Sequence, residues 1–197
     1  MSLIPLARVI SFISSPIIVI GLSLFYVIFR SSPDITSASS WFFLSVALIG
    51  LAPSLYILLA KRGGHIKDIR LSERQDRFGP FMVACLGMII TILVFYRLDA
   101  HDKILLSLMS GLIILLIAAI VTLFWKISIH SAAITSIVMT MNMLSAFSFW
   151  PLFALPILVM WSRVALRRHT LSQVVAGAGL STAVVYIVYS LYGYGVN

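Results

Sequence analysis

Charged residues are scarce in this sequence. They make up 10% of the 197 residues, against about 25% in typical soluble domains, and hydrophobic residues make up 61%. A soluble globular domain is therefore excluded, and so is a nucleic-acid-binding domain, in spite of the net charge of +8. A membrane span takes about 20 apolar residues, so the chain has room for roughly seven spans with short loops. We predict one integral membrane domain over residues 1–197, with the lipid bilayer as its partner and no nucleic acid.

Cysteines and carboxylates are also scarce, and their positions exclude several kinds of site. The single cysteine, Cys85, lies inside an apolar run, so no disulfide framework is possible. No carboxylate falls in the middle of an apolar run, which argues against an aspartate-rich Mg²⁺ site and against an intramembrane proton relay. We therefore predict neither a metal ion nor a cofactor. The six carboxylates are Asp34, Asp68, Glu73, Asp76, Asp99 and Asp102.

What the sequence has in abundance is long apolar runs. Most are rich in Leu, Ile, Val, Ala and Met and lack the alternation of a β-barrel strand. Backbone groups find no water partners in lipid, so each run is expected to form a helix. The pattern predicts an all-α, polytopic membrane protein with about seven transmembrane helices and a retained first span. The predicted spans are 6–30, 41–60, 80–97, 104–125, 129–149, 151–166 and 170–192.

Basic residues are distributed unevenly between the loops that seven crossings would place on opposite sides. One side, which includes the N-terminus, carries eleven of them, and the other side carries three. Because lysine and arginine accumulate on the cytoplasmic side of membrane proteins, this pattern predicts that the first side is cytoplasmic. That side carries Arg8, Lys61, Arg62, Lys67, Arg70, Arg74, Arg77, Lys126, Arg163, Arg167 and Arg168, and the opposite side carries Arg30, Arg97 and Lys103.

Two histidines on the basic side lie at the mouths of predicted spans. His130 and His169 are accompanied by Lys126, Arg163 and the basic 61–77 loop. Arginine forks match phosphate oxygens, and clustered cations stabilise the charge of a phosphoryl-transfer transition state. A neutral imidazole can attack phosphorus while a second imidazole protonates the leaving oxygen. The combination therefore points to phosphate chemistry at the membrane surface.

The spacing of these residues adds detail. Residues four apart share a helix face, as do His169 and Gln173, and also Lys126 and His130. The amide oxygen of Gln173 is expected to accept the Nδ1 proton of His169 and leave Nε2 unprotonated for attack. Ser128 falls between Lys126 and His130 and offers a hydroxyl donor.

The order Ser162-Arg163, five residues, His169, three residues, Gln173-Val-Val-Ala-Gly177 resembles the third signature of the type 2 phosphatidic acid phosphatases, Ser-Arg-x5-His-x3-Asp. Ser128-Ile129-His130 is similar to their second signature, Ser-Gly-His. The resemblance covers residues 124–180. It implies the helical core of that family and a lipid phosphatase activity.

The resemblance also implies roles for individual residues. It implies that His169 is the nucleophile that becomes phosphohistidine, and that His130 is the acid that protonates the leaving group and then the base that activates water. Arg163 and the Ser128 region are phosphate ligands. The catalytic set that we expect is therefore His169, His130 and Gln173.

The sequence departs from the family pattern at three places. Gln173 stands where most members have aspartate, a form similar to the dolichyl diphosphatase and glucose-6-phosphatase branches. Ile129 replaces the usual glycine of the second signature. The first signature, Lys-x6-Arg-Pro, has only the approximate candidates Lys67-x6-Arg74 and Arg70-x6-Arg77. We expect Arg74 and Arg77 to bind phosphate and Lys126 to serve as the family's lysine.

These features together predict a metal-independent membrane lipid phosphatase. Its substrate is a membrane lipid phosphate or diphosphate, with an isoprenoid diphosphate favoured, and it reacts through a phosphohistidine intermediate on the predicted cytoplasmic side. Two alternatives stay open: a prenyl or phosphoryl transferase with a related fold, and a lipid-phosphate binder or flippase without turnover. The oligomeric state is left undetermined by the sequence.

Overall fold

The computed structural model describes residues 3–69, 71 and 75–195, and all of the regular structure among them is helical. The described residues form nine α-helices. One π-helical segment, Val46–Leu51, links α3 to α4, and 3₁₀ turns at Gln75–Arg77 and Trp150–Phe153 precede α5 and α8. The α-helices are α1 (Ile4–Ile13), α2 (Pro16–Ser31), α3 (Ile35–Ser45), α4 (Ala52–Arg62), α5 (Phe78–Arg97), α6 (Asp102–Phe124), α7 (Ile129–Leu144), α8 (Ala154–Ala165) and α9 (Leu171–Ser190).

Among the described residues, four continuous helical segments are long and apolar enough to cross a membrane. They are Ile35–Arg62, Phe78–Arg97, Asp102–Phe124 and Leu171–Ser190. A fifth is obtained if α1 and α2, which are bent by 46° at a short break, count as one span. These segments make the chain an integral membrane protein with an all-helical fold. The sequence-based count of about seven spans is not confirmed.

Two of the predicted spans form shorter helices, and local hydrogen bonding explains why α7 stops early. Its carbonyl at Asn142 accepts from the backbone N–H groups of Ser145 (3.2 Å) and Phe147 (2.8 Å). Ala146 and Phe147 both adopt positive φ angles, of 46° and 60°. The chain therefore leaves the helix after Leu144, and the predicted span 129–149 becomes a 16-residue helix followed by a turn.

The first predicted span, 6–30, is broken by a serine pair and a proline. The hydroxyl of Ser14 donates to the carbonyl of Ile10 (2.7 Å) at the end of α1. Pro16, which has no N–H to donate, opens α2. The sequence 14–16 thus ends one helix and begins the next within a run that is apolar on both sides.

The contacts divide the chain into two compact units, Leu24–Trp125 and the combination of Met1–Ser23 with Lys126–Asn197. We call them the middle unit and the terminal unit. In the middle unit, α5 lies so close to the π-helical segment that a Cβ at Gly87 would overlap the Leu48 carbonyl. The Trp41 and Phe95 rings add a contact with centroids 5.4 Å apart. The single domain predicted from the sequence stays a prediction.

A carboxylate begins the first long span of the middle unit. Asp34 caps α3, and its Oδ1 accepts from the backbone N–H groups of Ser37 (2.9 Å) and Thr36 (2.8 Å). The backbone and hydroxyl hydrogen bonds from Ser37 lower the pKa of the Asp34 carboxyl below its usual value. A lowered carboxyl pKa means that the cap is present at neutral pH and is lost as the pH falls through the folded-state pKa.

The terminal unit is organised around α7 and α9, which run parallel. The backbone N–H of Ser128, just before α7, donates to the carbonyl of Gln173 at the start of α9. Further along both helices, the Ser181 hydroxyl on α9 donates to the carbonyl of Ala132 on α7. The order of partners rises along both helices, so their N-termini lie at the same end. The Ser131 hydroxyl also donates to the carbonyl of Val174 (2.6 Å).

Gly177 permits this close pairing. A Cβ built on Gly177 would lie 2.5 Å from the carbonyl oxygen of Ser128, which is backbone and has little freedom to move. Gly179, two residues further along α9, has nothing within 4 Å of a Cβ built in the same way. The two glycines therefore form a matched pair on one helix.

We predict that Gly177→Ala lowers the stability of the detergent-solubilised protein by about 1–3 kcal/mol, because the added methyl group separates α7 from α9. Gly179→Ala is expected to leave stability unchanged or to raise it by up to about 1 kcal/mol through helix propensity. Thermal unfolding of the two variants, followed by circular dichroism, measures the difference. Equal melting temperatures would show that the contact at Gly177 is not required.

Candidate active site

Six of the eight predicted site residues lie in the terminal unit, at one end of the α7–α9 pair. Because α7 and α9 are parallel, the segment before α7 and the segment before α9 meet at the same end. The loop before α9 also carries the C-terminal turn of α8 to this end. The six residues are Lys126, Ser128, His130, Arg163, His169 and Gln173.

The loop that carries His169 folds back onto the last turns of α8. The carbonyl of Arg163 accepts from the backbone N–H groups of Arg168 (3.0 Å) and His169 (3.4 Å). Arg167 adopts a positive φ of 52°, which lets the chain turn sharply here. The five-residue spacing between Arg163 and His169 therefore brings the backbones of the two residues into direct contact.

A capping box begins α9. The Thr170 hydroxyl accepts from the backbone N–H of Gln173 (3.4 Å), and Oε1 of Gln173 accepts from the backbone N–H of Thr170 (3.2 Å). This reciprocal arrangement satisfies N–H groups that have no partner inside the helix. Gln173 therefore has a complete structural role that is independent of any chemistry.

The same Oε1 atom of Gln173 lies 3.1 Å from Nδ1 of His169. The contact predicted from the four-residue spacing is confirmed. His169 itself is half-buried, as is Gln173. One amide oxygen thus joins the start of α9 to the imidazole of the candidate nucleophile.

Ser128 begins α7 as its N-cap residue. Its side chain is fully buried, and its hydroxyl accepts from the backbone N–H of Ser131 (3.4 Å) as the N-cap of α7. Its own backbone N–H donates to the carbonyl of Gln173 (3.2 Å). A capping role accounts for Ser128, and its role as a phosphate ligand stays a prediction. Lys126 and His130, on either side of it, are half-buried.

Arg163 is held by the first helix of the chain. Its Nη1 donates to the hydroxyl of Ser11 on α1 (2.6 Å), and the side chain is half-buried. The guanidinium is therefore directed by a residue that is 152 positions away in the sequence. Its predicted role in phosphate binding is not tested by this contact.

The two remaining predicted ligands belong to the basic loop of the middle unit. Arg74 lies outside the described residues. Arg77 donates from Nε to the carbonyl of Leu71 (2.8 Å), and the Asp76 carboxylate accepts from the backbone N–H of Lys67 (3.1 Å). Burial lowers the pKa of the Arg77 guanidinium from its ordinary value. The Arg77 side chain thus stabilises the backbone of its own loop at Leu71.

Metal-binding residues do not gather in the described parts of the chain. No group of three or more His, Cys, Asp or Glu side chains there has an arrangement that could hold a metal ion. The predicted site residues of the terminal unit comprise two imidazoles, an amide, a hydroxyl and two cations.

Three residues that shape this end of the terminal unit were missed in the sequence analysis. Thr170 was detectable, because Thr170-x-x-Gln173 matches the capping-box pattern. Ser131 and Ser11 carried no such signal, since their partners are a carbonyl of another helix and a distant guanidinium. Only the packing of the helices assigns them.

No protein-family model, curated protein or solved structure matches this chain.

We predict that Arg77→Lys makes the 61–77 loop more accessible to proteinase K, because lysine has no Nε group at the position that reaches the Leu71 carbonyl. Arg62→Lys, at an exposed position of α4, is the matched control and is expected to leave cleavage unchanged. Cleavage rates in detergent, followed by gel electrophoresis and mass spectrometry, measure the effect. A wild-type cleavage pattern for Arg77→Lys would show that the hydrogen bond from Arg77 to the Leu71 carbonyl does not protect the loop.

Proposed function

We propose that the protein is a metal-independent lipid phosphatase in which His169 attacks the phosphorus of a membrane lipid phosphate or diphosphate. The observation that carries the proposal is the contact of His169 Nδ1 with Gln173 Oε1, next to the backbone of Arg163. An acceptor at Nδ1 favours the neutral imidazole whose Nε2 lone pair serves as nucleophile.

The electrostatics of the α7–α9 end suit a phosphate group. The N-termini of these two parallel helices direct their partial positive charges toward the same end. Lys126 and Arg163 add two formal positive charges at that end. A pentacoordinate phosphoryl group, which carries negative charge on its equatorial oxygens, is stabilised by such a set.

The proposed reaction has two displacement steps. In the first, Nε2 of His169 forms a bond to phosphorus while the bond to the leaving oxygen breaks, and His130 donates a proton to that oxygen. In the second, His130 accepts a proton from water as the water oxygen attacks phosphorus, and the bond to His169 breaks to release inorganic phosphate. His130 recovers its proton over the cycle, so no external base is consumed.

The membrane arrangement belongs to the same proposal. We place α7 and α8 in the bilayer with the four longer spans and the bent α1–α2 pair, which makes about seven crossings. The substrate tail then lies in lipid while its headgroup meets the histidines on the cytoplasmic side. An isoprenoid diphosphate is the favoured substrate, because Gln173 is similar to the residue of the diphosphatase branches.

We predict that the detergent-purified protein releases phosphate from polyprenyl diphosphate in the presence of excess EDTA. His169→Ala is expected to abolish release, because no nucleophile remains, and His130→Ala to reduce it by about 10²–10⁴-fold. Malachite-green assays with polyprenyl diphosphate, polyprenyl phosphate and phosphatidic acid measure the rates. His65→Ala, in the loop after α4, is the control histidine substitution and is expected to keep the wild-type rate.

A second function is favoured by one specific observation, the complete capping role of Gln173. Gln173 caps α9 but is uncharged, so it cannot stabilise an imidazolium at His169 as a carboxylate would. This suits a lipid-phosphate binder or flippase without turnover. Saturable binding of a lipid phosphate that survives His169→Ala, together with no phosphate release from folded wild-type protein, would select this function. Prenyl transfer without release of inorganic phosphate would select a transferase instead.

A further inference from the structure

The orientation of the Gln173 carboxamide is decided by the backbone of Thr170. A backbone N–H can only donate, and that of Thr170 lies 3.2 Å from the Gln173 side-chain atom. This atom must therefore be the oxygen, and the NH₂ group must point away. An isolated glutamine beside a histidine has no such constraint and can present either end.

The fixed oxygen in turn decides which nitrogen of His169 carries the proton. Oε1 lies 3.1 Å from Nδ1, and an acceptor at that position requires a donor, so the neutral ring is protonated at Nδ1. If the carboxamide were reversed, its NH₂ group would donate to Nδ1 and the proton would move to Nε2. The nucleophilic nitrogen would then be blocked.

We propose that Thr170 is a positioning residue whose backbone N–H locks the Gln173 amide and so holds His169 in its Nδ1-protonated tautomer. Its significance for catalysis rests on the proposed function, because a lone pair at Nε2 matters for an attacking imidazole. The lock itself is a property of the capping box.

The hydroxyl and the N–H of Thr170 have separate tasks. The hydroxyl accepts from the Gln173 backbone and lies 2.9 Å from the Ser172 hydroxyl, so it fixes the first turn of α9. Of these two Thr170 groups, only the N–H contacts Oε1 of Gln173. Substitutions separate the two: Thr170→Ser keeps both, Thr170→Ala keeps the N–H, and Thr170→Pro removes both. The φ of −80° at Thr170 lies within the range that proline adopts.

A second-site change distinguishes the lock from a backbone distortion. Gln173→Glu keeps a capping-box residue at the third position of the helix and places only acceptor oxygens beside Nδ1. A carboxylate has no NH₂ end, so its orientation needs no lock. The double variant Thr170→Pro with Gln173→Glu is therefore expected to recover the Nδ1-protonated ring even though the N–H is absent.

The test is ¹⁵N NMR of histidine-labelled protein in detergent, at a pH at which the ring is neutral, with His169→Ala used to assign the His169 signals. The wild type and Thr170→Ala are expected to show Nδ1–H. In Thr170→Pro the shifts are expected to move toward the Nε2–H form, and phosphate release to fall in proportion to the lost Nδ1–H population. The double variant is expected to return toward the wild type.

Four results would overturn the proposal: an Nε2–H ring in the wild type, unchanged shifts in Thr170→Pro, equal changes in Thr170→Ala and Thr170→Pro, or no recovery in the double variant. If Thr170→Pro does not fold, Gln173→Leu takes its place, and an unchanged Nδ1–H ring in that variant would also overturn it. Absence of phosphate release from the wild type rejects the proposed function, while the tautomer measurement still tests the lock.

Discussion

The close parallel contact between α7 and α9 is the constraint on which the candidate site depends. Gly177 lets the second helix approach the Ser128 carbonyl, and the hydroxyls of Ser131 and Ser181 each donate to a carbonyl of the facing helix. In a bilayer, small residues and interhelical hydrogen bonds drive helix association, since lipid offers no hydrophobic gain from apolar contact. The same contact brings the start of α7, with His130, and the start of α9, with His169, to one end of the pair.

At that end, one side-chain atom both caps a helix and contacts the candidate nucleophile. Oε1 of Gln173 accepts from the helix start at Thr170 and faces the imidazole of His169. A carboxylate at this position would add a negative charge that stabilises an imidazolium, whereas the amide sets proton position without charge. The position of the imidazole therefore depends on the first turn of α9. A substitution that alters the cap is expected to change the hydrogen bond at His169 Nδ1.

The cations of the chain divide by structural task. Arg163 donates to the Ser11 hydroxyl at the candidate-site end of the terminal unit, whereas Arg77 donates to the Leu71 carbonyl inside the loop of the middle unit. Both are arginines of the basic side that charge counting treats alike. Their hydrogen-bond partners distinguish an arginine that contacts the first helix of the chain from one that contacts the backbone of its own loop.

The sequence by itself determined the helical class, the membrane environment and the local pairing of His169 with Gln173, because hydropathy and four-residue spacing act over short stretches of chain. It also contained the signal for the cap at Thr170. Only the tertiary structure decided that α7 ends at Leu144 and that Ser128 is buried as a cap. Those outcomes depend on carbonyl partners, left-handed turns and a neighbouring helix, and none of these is encoded in the apolar pattern of the segment concerned.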